Sequence, residues 1–426
     1  MDKIIQNLKL SVLAQDEAKE RLYAETPSTT SETGVCTKKE NQSYRMCNRC
    51  IMDTTAHGIK FDSKGECSYC KLHDKLERQF PLNDKGRNSF YKFIDKIRRI
   101  GKGKKYDCVI GLSGGRDSVY LFYRALKEWK LRPLAVKFSN GFDNPIAKEN
   151  VNRAVRILNV DLRIVRADEK ESKDLKTALL KSSTPNLEIG TDVGILAALY
   201  GVAAKKNIRF IMIGNSFRTE GISPLVWSYI NPMYLKTIMD RFGTVKLRKW
   251  KPDDPGFNLN IWHLFYYIVI KKISTINPNY HVPYIRKEAE ELIKKDLGWV
   301  DTGAHYYDDL YQSLVYYVYR TKFHIDKRRF NYSALVRSGQ MRREEALERM
   351  NKPYVVEDPK VISMCLERLG LTPEQFQEYL SYPPKTFLDY YPNYYSDIKK
   401  WGPLIKIACQ MRIIPVGTYE KFFSCI

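Results

Sequence analysis

The chain has 426 residues, more than one typical domain of about 100–200 residues, and its 43% hydrophobic content is enough for a real core. With 71 Lys and Arg against 49 Asp and Glu, the formal charge is +22, which favours polyanionic ligands or partners without choosing among nucleotides, nucleic acid and an anionic surface. The longest apolar run, Ile261 to Ile270, is interrupted by His263 and is shorter than the about 20 residues that a membrane span requires. The opening MDKIIQNLKLSVLAQDE carries charge before any sustained apolar stretch, so neither a span nor a secretory signal is expected, and a cytoplasmic protein is.

In chain order, Ile4, Ile5, Leu8, Val12 and Leu13 fall near helical spacing, and ETPSTTSETG (Glu25 to Gly34) follows as linker chemistry. Residues 1–43 are therefore expected to form a helical and flexible extension. A cysteine-rich module is expected over 44–75. Phe90 to Ile100 has helical periodicity and leads through GKGKK into alternating elements. Strands are expected at Asp107 to Leu112, Pro133 to Phe138, Leu162 to Ala167 and Arg209 to Gly214. The helices between them are expected at Asp117 to Trp129, Asn144 to Leu158, Asp174 to Lys181 and Asp192 to Lys206. Short apolar strands separated by helices imply an open parallel sheet covered on both faces, with its ligand site at the strand C-termini. That domain spans 90–221. From 222 to 426 the pattern turns to Tyr, Trp, Lys and Arg with helical spacing at Lys287 to Asp296, Tyr307 to Tyr319, Arg342 to Met350 and Pro359 to Leu369. No further strand–helix alternation is expected there, and the region reads as mostly helical, packed over the sheet.

Two segments carry chemistry. Cys47, Cys50, Cys67 and Cys70 form two CxxC knuckles at the spacing of a four-thiolate zinc ribbon, and each CxxC turn aims two thiolates at one ion. A pair of redox dithiols is the alternative. His57 and His73 lie nearby and are expected on the surface rather than among the ligands. The second segment is Ser113-Gly114-Gly115-Arg116-Asp117-Ser118, placed between a strand and a helix. Two glycines let backbone approach a ligand closely, and amides at a helix N-terminus attract an anion. The Walker A pattern GxxxxGK[ST] is absent, so kinase or GTPase chemistry is not indicated; an ordinary Gly-Gly turn is the plain reading of the same residues.

SGGRDS after a strand resembles the PP-loop signature SGGxDS of the ATP pyrophosphatases (adenine nucleotide alpha hydrolase-like fold), which split ATP into AMP and pyrophosphate while adenylating an oxygen. The resemblance implies ATP binding by Ser113, Gly114, Gly115, Asp117 and Ser118, with Ser113 and Asp117 catalytic and Asp117 holding Mg²⁺. It places Val136 and Phe138 beside the adenine and makes Gly214 and Asn215 a second glycine motif. The CxRCxMDTT segment (Cys47 to Thr55), the CxYC pair and the stretch from Gly298 to Leu347 are together similar to the N-acetyl sugar amidotransferases, which make acetamidino sugars for bacterial surface polysaccharides such as lipopolysaccharide O-antigen and for flagellar glycans. The likeness covers roughly residues 45–355.

That likeness implies an N-acetyl group, on a nucleotide-linked sugar, converted to an acetamidine through an adenylated imidate with release of AMP and pyrophosphate. Zn²⁺ would sit on the four cysteines, and His305, Lys322, Arg328 and Arg329 would face the acceptor among tyrosines; a solvated basic face is the plain alternative for these residues. No glycine-flanked nucleophilic cysteine or N-terminal cysteine is present, and the same resemblance implies ammonia from a glutaminase subunit and an ammonia-conducting barrel subunit of the histidine-biosynthesis type. Apolar and basic surface including Trp250, Trp262 and Tyr266 is a docking candidate for those subunits, with a buried core the plainer reading of such residues. Two rivals stand beside this reading. One is a PP-loop tRNA-modifying enzyme (thiolation or lysidine-type ligation), which the charge suits. The other is a zinc-ribbon nucleic-acid binder with a degenerate ATP fold; the intact Asp117 and Ser118 argue against it, and nucleic acid is not the expected partner.

Overall fold

A five-stranded, all-parallel sheet lies at the centre of the computed structural model, which describes residues 43–303 and 307–410. The expected N-terminal helix over 2–23 and its linker lie outside the described residues. The strands are β1 (Cys108–Gly111), β2 (Pro133–Ser139), β3 (Leu162–Arg166), β4 (Phe210–Met212) and β5 (Ser274–Ile276), in the order β3-β2-β1-β4-β5. Val109 pairs with Leu134 on one side and Ile211 on the other, which makes β1 central. β5 pairs with β4 through Ile211 and Thr275. This fifth strand lies beyond Gly221, outside the strand–helix alternation read from the sequence. Its three residues are too short to show a period, and the polar Ser274 and Thr275 hide it at a sheet edge.

The period-two alternation of the strands divides the core. Cys108, Ile110 and Leu112 face one side, packed with Phe122, Trp129 and Met212, whereas Val109, Leu134, Val136 and Ile211 face the other. The flanking helices are α1 (Ser68–Gln79), α2 (Asp84–Gly101), α3 (Arg116–Lys127), α4 (Pro145–Leu158), α5 (Glu169–Lys181) and α6 (Ile189–Lys205). Two of these starts show a clear local cause. Asn144 caps α4 through the Ile146 amide with Pro145 in the first turn, and Asp168 caps α5 through the Glu171 amide. α4 stops at Asn159, whose left-handed φ of 50° closes the last turn. α6 is apolar almost all round because it lies between the sheet and the C-terminal helices.

Beyond β4 the chain is mostly helical: α7 (Pro232–Phe242), α8 (Arg286–Leu297), α9 (Tyr311–Phe323), α10 (Lys327–Arg337), α11 (Arg343–Met350) and α12 (Pro359–Leu369). α9 begins later than the spacing predicts. Residues 307–310 are instead pulled into an extended contact with the loop after β2, where the Leu310 amide donates to the Phe142 carbonyl at 2.7 Å and the Asn144 amide to that of Asp308 at 3.1 Å. This contact brings the C-terminal region to the carboxyl ends of the strands.

Phe122 on α3 has no solvent exposure and fills the core on the face shared by β1 and β4. Phe122→Ala is expected to cost about 3–5 kcal/mol through lost burial and the cavity left behind, read as a shift of the denaturant midpoint of the full chain.

Candidate functional site

The strand order reverses between β1 and β4, and in open parallel sheets ligands bind at that point outside the carboxyl ends of the strands. Both glycine motifs converge there. Gly114 has φ +97°, and a Cβ on it would stand 2.0 Å from the Ala147 carbonyl oxygen; both facts require glycine. A Cβ on Gly214, after β4, would stand 2.7 Å from the Asp117 carbonyl oxygen, so this glycine lets the end of β4 touch the start of α3. Gly115 is the N-cap residue of α3, and the amides of the helix start face a cleft of about 620 Å³.

The cleft is lined by Ser113, Gly115, Asp117, Ser118, Phe138, Gly214 and Asn215 among the residues singled out in the sequence. Their groups also hold one another. The Ser113 and Ser118 hydroxyls share a hydrogen bond of 3.1 Å, the Gly115 amide donates to Ser113 Oγ at 3.3 Å, and Ser118 Oγ donates to the Gly115 carbonyl at 3.0 Å. Asp117 takes the Tyr284 hydroxyl and the Arg116 guanidinium, whose Nε lies 3.0 Å away; Arg116 in turn reaches Glu290 at 2.8 Å. Val136 is different: it is buried in the sheet beside Gly111 and does not line the cleft.

The expected acceptor residues are dispersed. His305 lies outside the described residues. Lys322 donates to the Tyr379 carbonyl, with burial lowering its pKa to about 8, and lies away from the cleft. Arg328 bonds Asp326 at 2.7 Å and covers the Tyr354 ring, and Arg329 bonds Asp53 at 2.9 Å and the Ile51 carbonyl at 2.9 Å. Neither lines the cleft. Both are drawn to carboxylates and carbonyls that the chain itself presents, and pattern alone does not separate such arginines from ligand-binding ones.

Other residues occupy the positions that the sequence reading left empty. Lys137, buried in β2, donates to the Ser113 carbonyl at 3.3 Å and pairs with Asp143 at 2.8 Å. A lysine inside an otherwise apolar strand was the legible signal for it. Asp308 comes from the segment docked on the loop after β2, close to Gly115; burial pushes its carboxyl up, and Ser113 and Lys137 oppose that. Burial likewise raises Asp309 to about 6, opposed by Lys176. On the far wall, burial works against the charge of Glu188, but the Lys327 ammonium beside it and hydrogen bonds from Gln312 and Tyr319 hold its pKa below the ordinary range. Gln312 Nε2 donates to Glu188 at 2.8 Å, which fixes the amide orientation and leaves its buried carbonyl oxygen without a partner on the cleft wall.

The four cysteines form a separate centre. Cys47, Cys50, Cys67 and Cys70 have no solvent exposure, and their sulfurs all lie within 4.8 Å of one another. Three of the edges measure 3.8, 3.7 and 3.7 Å, and a tetrahedron of sulfurs at about 2.3 Å from one ion has edges of about 3.8 Å, so the set fits a single metal ion. Hydrogen bonds from Cys50, Cys67 and Cys70 drive the Cys47 thiol far down, while Cys70 is pushed far up by those to Cys47, Cys50 and Cys67. His57 is exposed, as expected. His73 is not: it is packed edge-on against Phe217, burial takes its pKa down to about 3, and it stands outside the ligand set.

Arginines join this module to the C-terminal helices. Arg343 donates to the carbonyls of Cys47 and Cys50 at 3.1 Å each, Arg337 Nη1 lies 3.6 Å from Cys50 Sγ, and Arg218 forks onto Glu77 at 2.7 and 2.8 Å.

Comparison with known proteins agrees in part with the sequence reading. Residues 303–402 match the family described as LPS biosynthesis protein WbpG-like, C-terminal domain. The uncharacterized protein MJ1599 of Methanocaldococcus jannaschii is 24% identical over 333 residues, 76% of this chain and 99% of that protein. Among solved structures, the chain is similar to the NH3-dependent NAD synthetase of Campylobacter jejuni at 16% identity and TM-score 0.26, over 74% of this chain and 98% of the other. It is also similar to the U34-tRNA thiolase NcsA of Methanococcus maripaludis, solved with its [4Fe-4S] cluster, at 13% identity and TM-score 0.30, over 77% and 99% of the two chains. The part of the chain that forms the second wall of the cleft is thus the part that matches a lipopolysaccharide-biosynthesis domain.

Proposed function

We propose that the chain is an ATP-dependent amidotransferase that converts the N-acetyl group of a nucleotide-linked sugar to an acetamidino group. One observation carries the reading: the SGGRDS loop and residues 307–331 of the WbpG-like region line one cleft at the switch point of the sheet. An amide carbonyl is a poor electrophile because its oxygen leaves badly. In the proposed reaction that oxygen attacks the α-phosphorus of ATP, the bond to pyrophosphate breaks, and the amide nitrogen loses its proton to give an O-adenylyl imidate. Ammonia then adds to the imidate carbon, and AMP leaves with the oxygen.

The residues divide accordingly. The Gly114 and Gly115 backbone with the start of α3 receives the pyrophosphate portion, and Lys137 adds positive charge beneath the Ser113 carbonyl. Phe138 and the Gly214-Asn215 turn border the base. Asp117 is the proposed Mg²⁺ holder; carboxylate oxygens of Asp143 and Asp308 line the same cleft, a donor set suited to a hard cation. Mg²⁺ supplies charge compensation for departing pyrophosphate. Glu188, Gln312, Lys327 and Asn331 form the acceptor end of the cleft. The enclosing helices exclude water, which would otherwise hydrolyse the imidate. Zn²⁺ is the proposed ion of the four cysteines. Four thiolates around it carry a net charge of −2, and the guanidiniums of Arg337 and Arg343 lie against that charge.

Thiolation of tRNA is the less supported alternative, because sulfur transfer needs an accessible thiolate. Among the described residues the cysteines outside the metal set are Cys108, Cys365 and Cys409, all buried, and burial raises the Cys108 and Cys365 thiols, the latter to about 12.

Asp117→Asn and Ser113→Ala are expected to lower AMP formation at least about a hundredfold with unchanged circular dichroism, since each removes a group facing the phosphates; near wild-type turnover in either would sink the assignment of the loop. Protein purified without chelator is expected to hold about one zinc per chain, lost in Cys67→Ser. Metal analysis decides this, and iron in stoichiometric amount, or no metal, counts against it. With ATP, Mg²⁺ and acceptor, the isolated chain is expected to turn over with ammonium salt and not with glutamine, because ammonia is proposed to come from a glutaminase through a barrel-shaped partner; glutamine hydrolysis by this chain alone would refute that.

A further inference from the structure

One surface is not used by the proposed reaction. Residues 261–270 form a helical segment that runs into β5, and Ile261, Trp262, Phe265, Val269 and Ile270 on it are exposed, Trp262 to 73%. Trp262, Phe265 and Val269 are spaced three and four apart and so share one face. The opposite face is anchored. Tyr267 is fully buried, its hydroxyl donates to the Pro252 carbonyl at 2.8 Å, and its ring meets that of Tyr200 at 5.2 Å. Trp250 stacks on His263 with ring centres 4.2 Å apart, and Asn260 caps the start through the His263 amide at 3.0 Å. The exposed apolar face is therefore held outward by a fixed scaffold.

The chain that carries this face is basic. From Pro255 to Lys287 the chain contains no acidic residue. The two acids just before that stretch are paired, Asp253 with Lys205 at 3.1 Å and Asp254 with Arg248 at 3.3 Å. Lys249, Lys251, Lys271 and Lys272 are exposed beside the segment. A tryptophan-bearing apolar stripe flanked by lysines has the composition of an amphipathic segment that lies in the headgroup layer of an anionic bilayer. No helix among the described residues is long and apolar enough to cross a membrane, so this face would rest on a bilayer rather than span it.

We propose that residues 261–272 are a docking surface for an anionic lipid membrane. Trp262 and Phe265 enter the boundary between headgroups and acyl chains, and Lys271 and Lys272 meet lipid phosphates. The test is flotation of the purified full chain with vesicles of phosphatidylcholine alone or mixed equally with phosphatidylglycerol. Binding is expected to the mixed vesicles only and to fall with added salt; Trp262→Ser with Phe265→Ser, and separately Lys271→Glu with Lys272→Glu, are expected to reduce it by roughly tenfold or more while circular dichroism stays unchanged. No flotation with phosphatidylglycerol vesicles, or flotation that both variants retain, overturns the proposal. Sedimentation of the same proteins without lipid decides the competing occupant: an oligomer that Trp262→Ser dissolves, with no vesicle binding, assigns the face to a second copy of the chain.

Discussion

The loop after β1 is held in place from outside itself. The Gly114 carbonyl accepts hydrogen bonds from Asn150 Nδ2 at 3.2 Å and from Trp299 Nε1 at 3.0 Å, while the Gly114 Cα rests against the Ala147 carbonyl. A backbone at φ +97° is otherwise free to swing, and these contacts from α4 and from the start of the C-terminal block fix it in one orientation. Everything that faces the cleft from this loop depends on that orientation: the Gly115 amide, the helix start and the Asp117 carboxylate. Because one of the two donors is Trp299, the loop is completed only when the C-terminal region is docked on the sheet.

This dependence explains which parts of the fold were legible in the sequence. β1 and β2 are mostly apolar runs, the helices after them are amphipathic, and α4 has a strong cap, so Cys108–Gly111 and Pro145–Leu158 emerge within a residue or two of where the spacing puts them. The loop itself was legible because glycine is required there for a steric reason that any sequence must obey. β5 was not, since three residues with two hydroxyls gain their strand conformation from the β4 edge rather than from their own pattern.

The candidate site divides along the same line. With Gly114 supporting them from behind, residues that a loop positions by local geometry, Ser113, Gly115 to Ser118 and Gly214, line one cleft. Residues that tertiary packing positions do not. In the basic run Lys327, Arg328, Arg329 the three neighbours go to three places, the cleft, Asp326 with Tyr354, and Asp53, because consecutive helix positions point about 100° apart. The resemblance pointed to Arg328 and Arg329, whereas their neighbour Lys327 is the member that faces the cleft. The acidic pair Asp308 and Asp309 was overlooked because the spacing put both in the first turn of a helix, whereas the Phe142 and Asp308 backbone bonds hold them extended against Lys137 and Lys176.

Helix α10 touches both centres of the molecule. Lys327 and Asn331 look into the cleft, while Arg329 and Arg337 reach Asp53 and the Cys50 sulfur; Phe330 borders the cleft and also packs its ring edge-on against Tyr69, at 5.2 Å, in the cysteine module. A rigid helix has one position to offer to both. Displacing α10 at the cysteine module therefore also displaces Lys327 and Asn331, so the four-cysteine centre, though distant from the glycine loop, helps to set the geometry of the cleft.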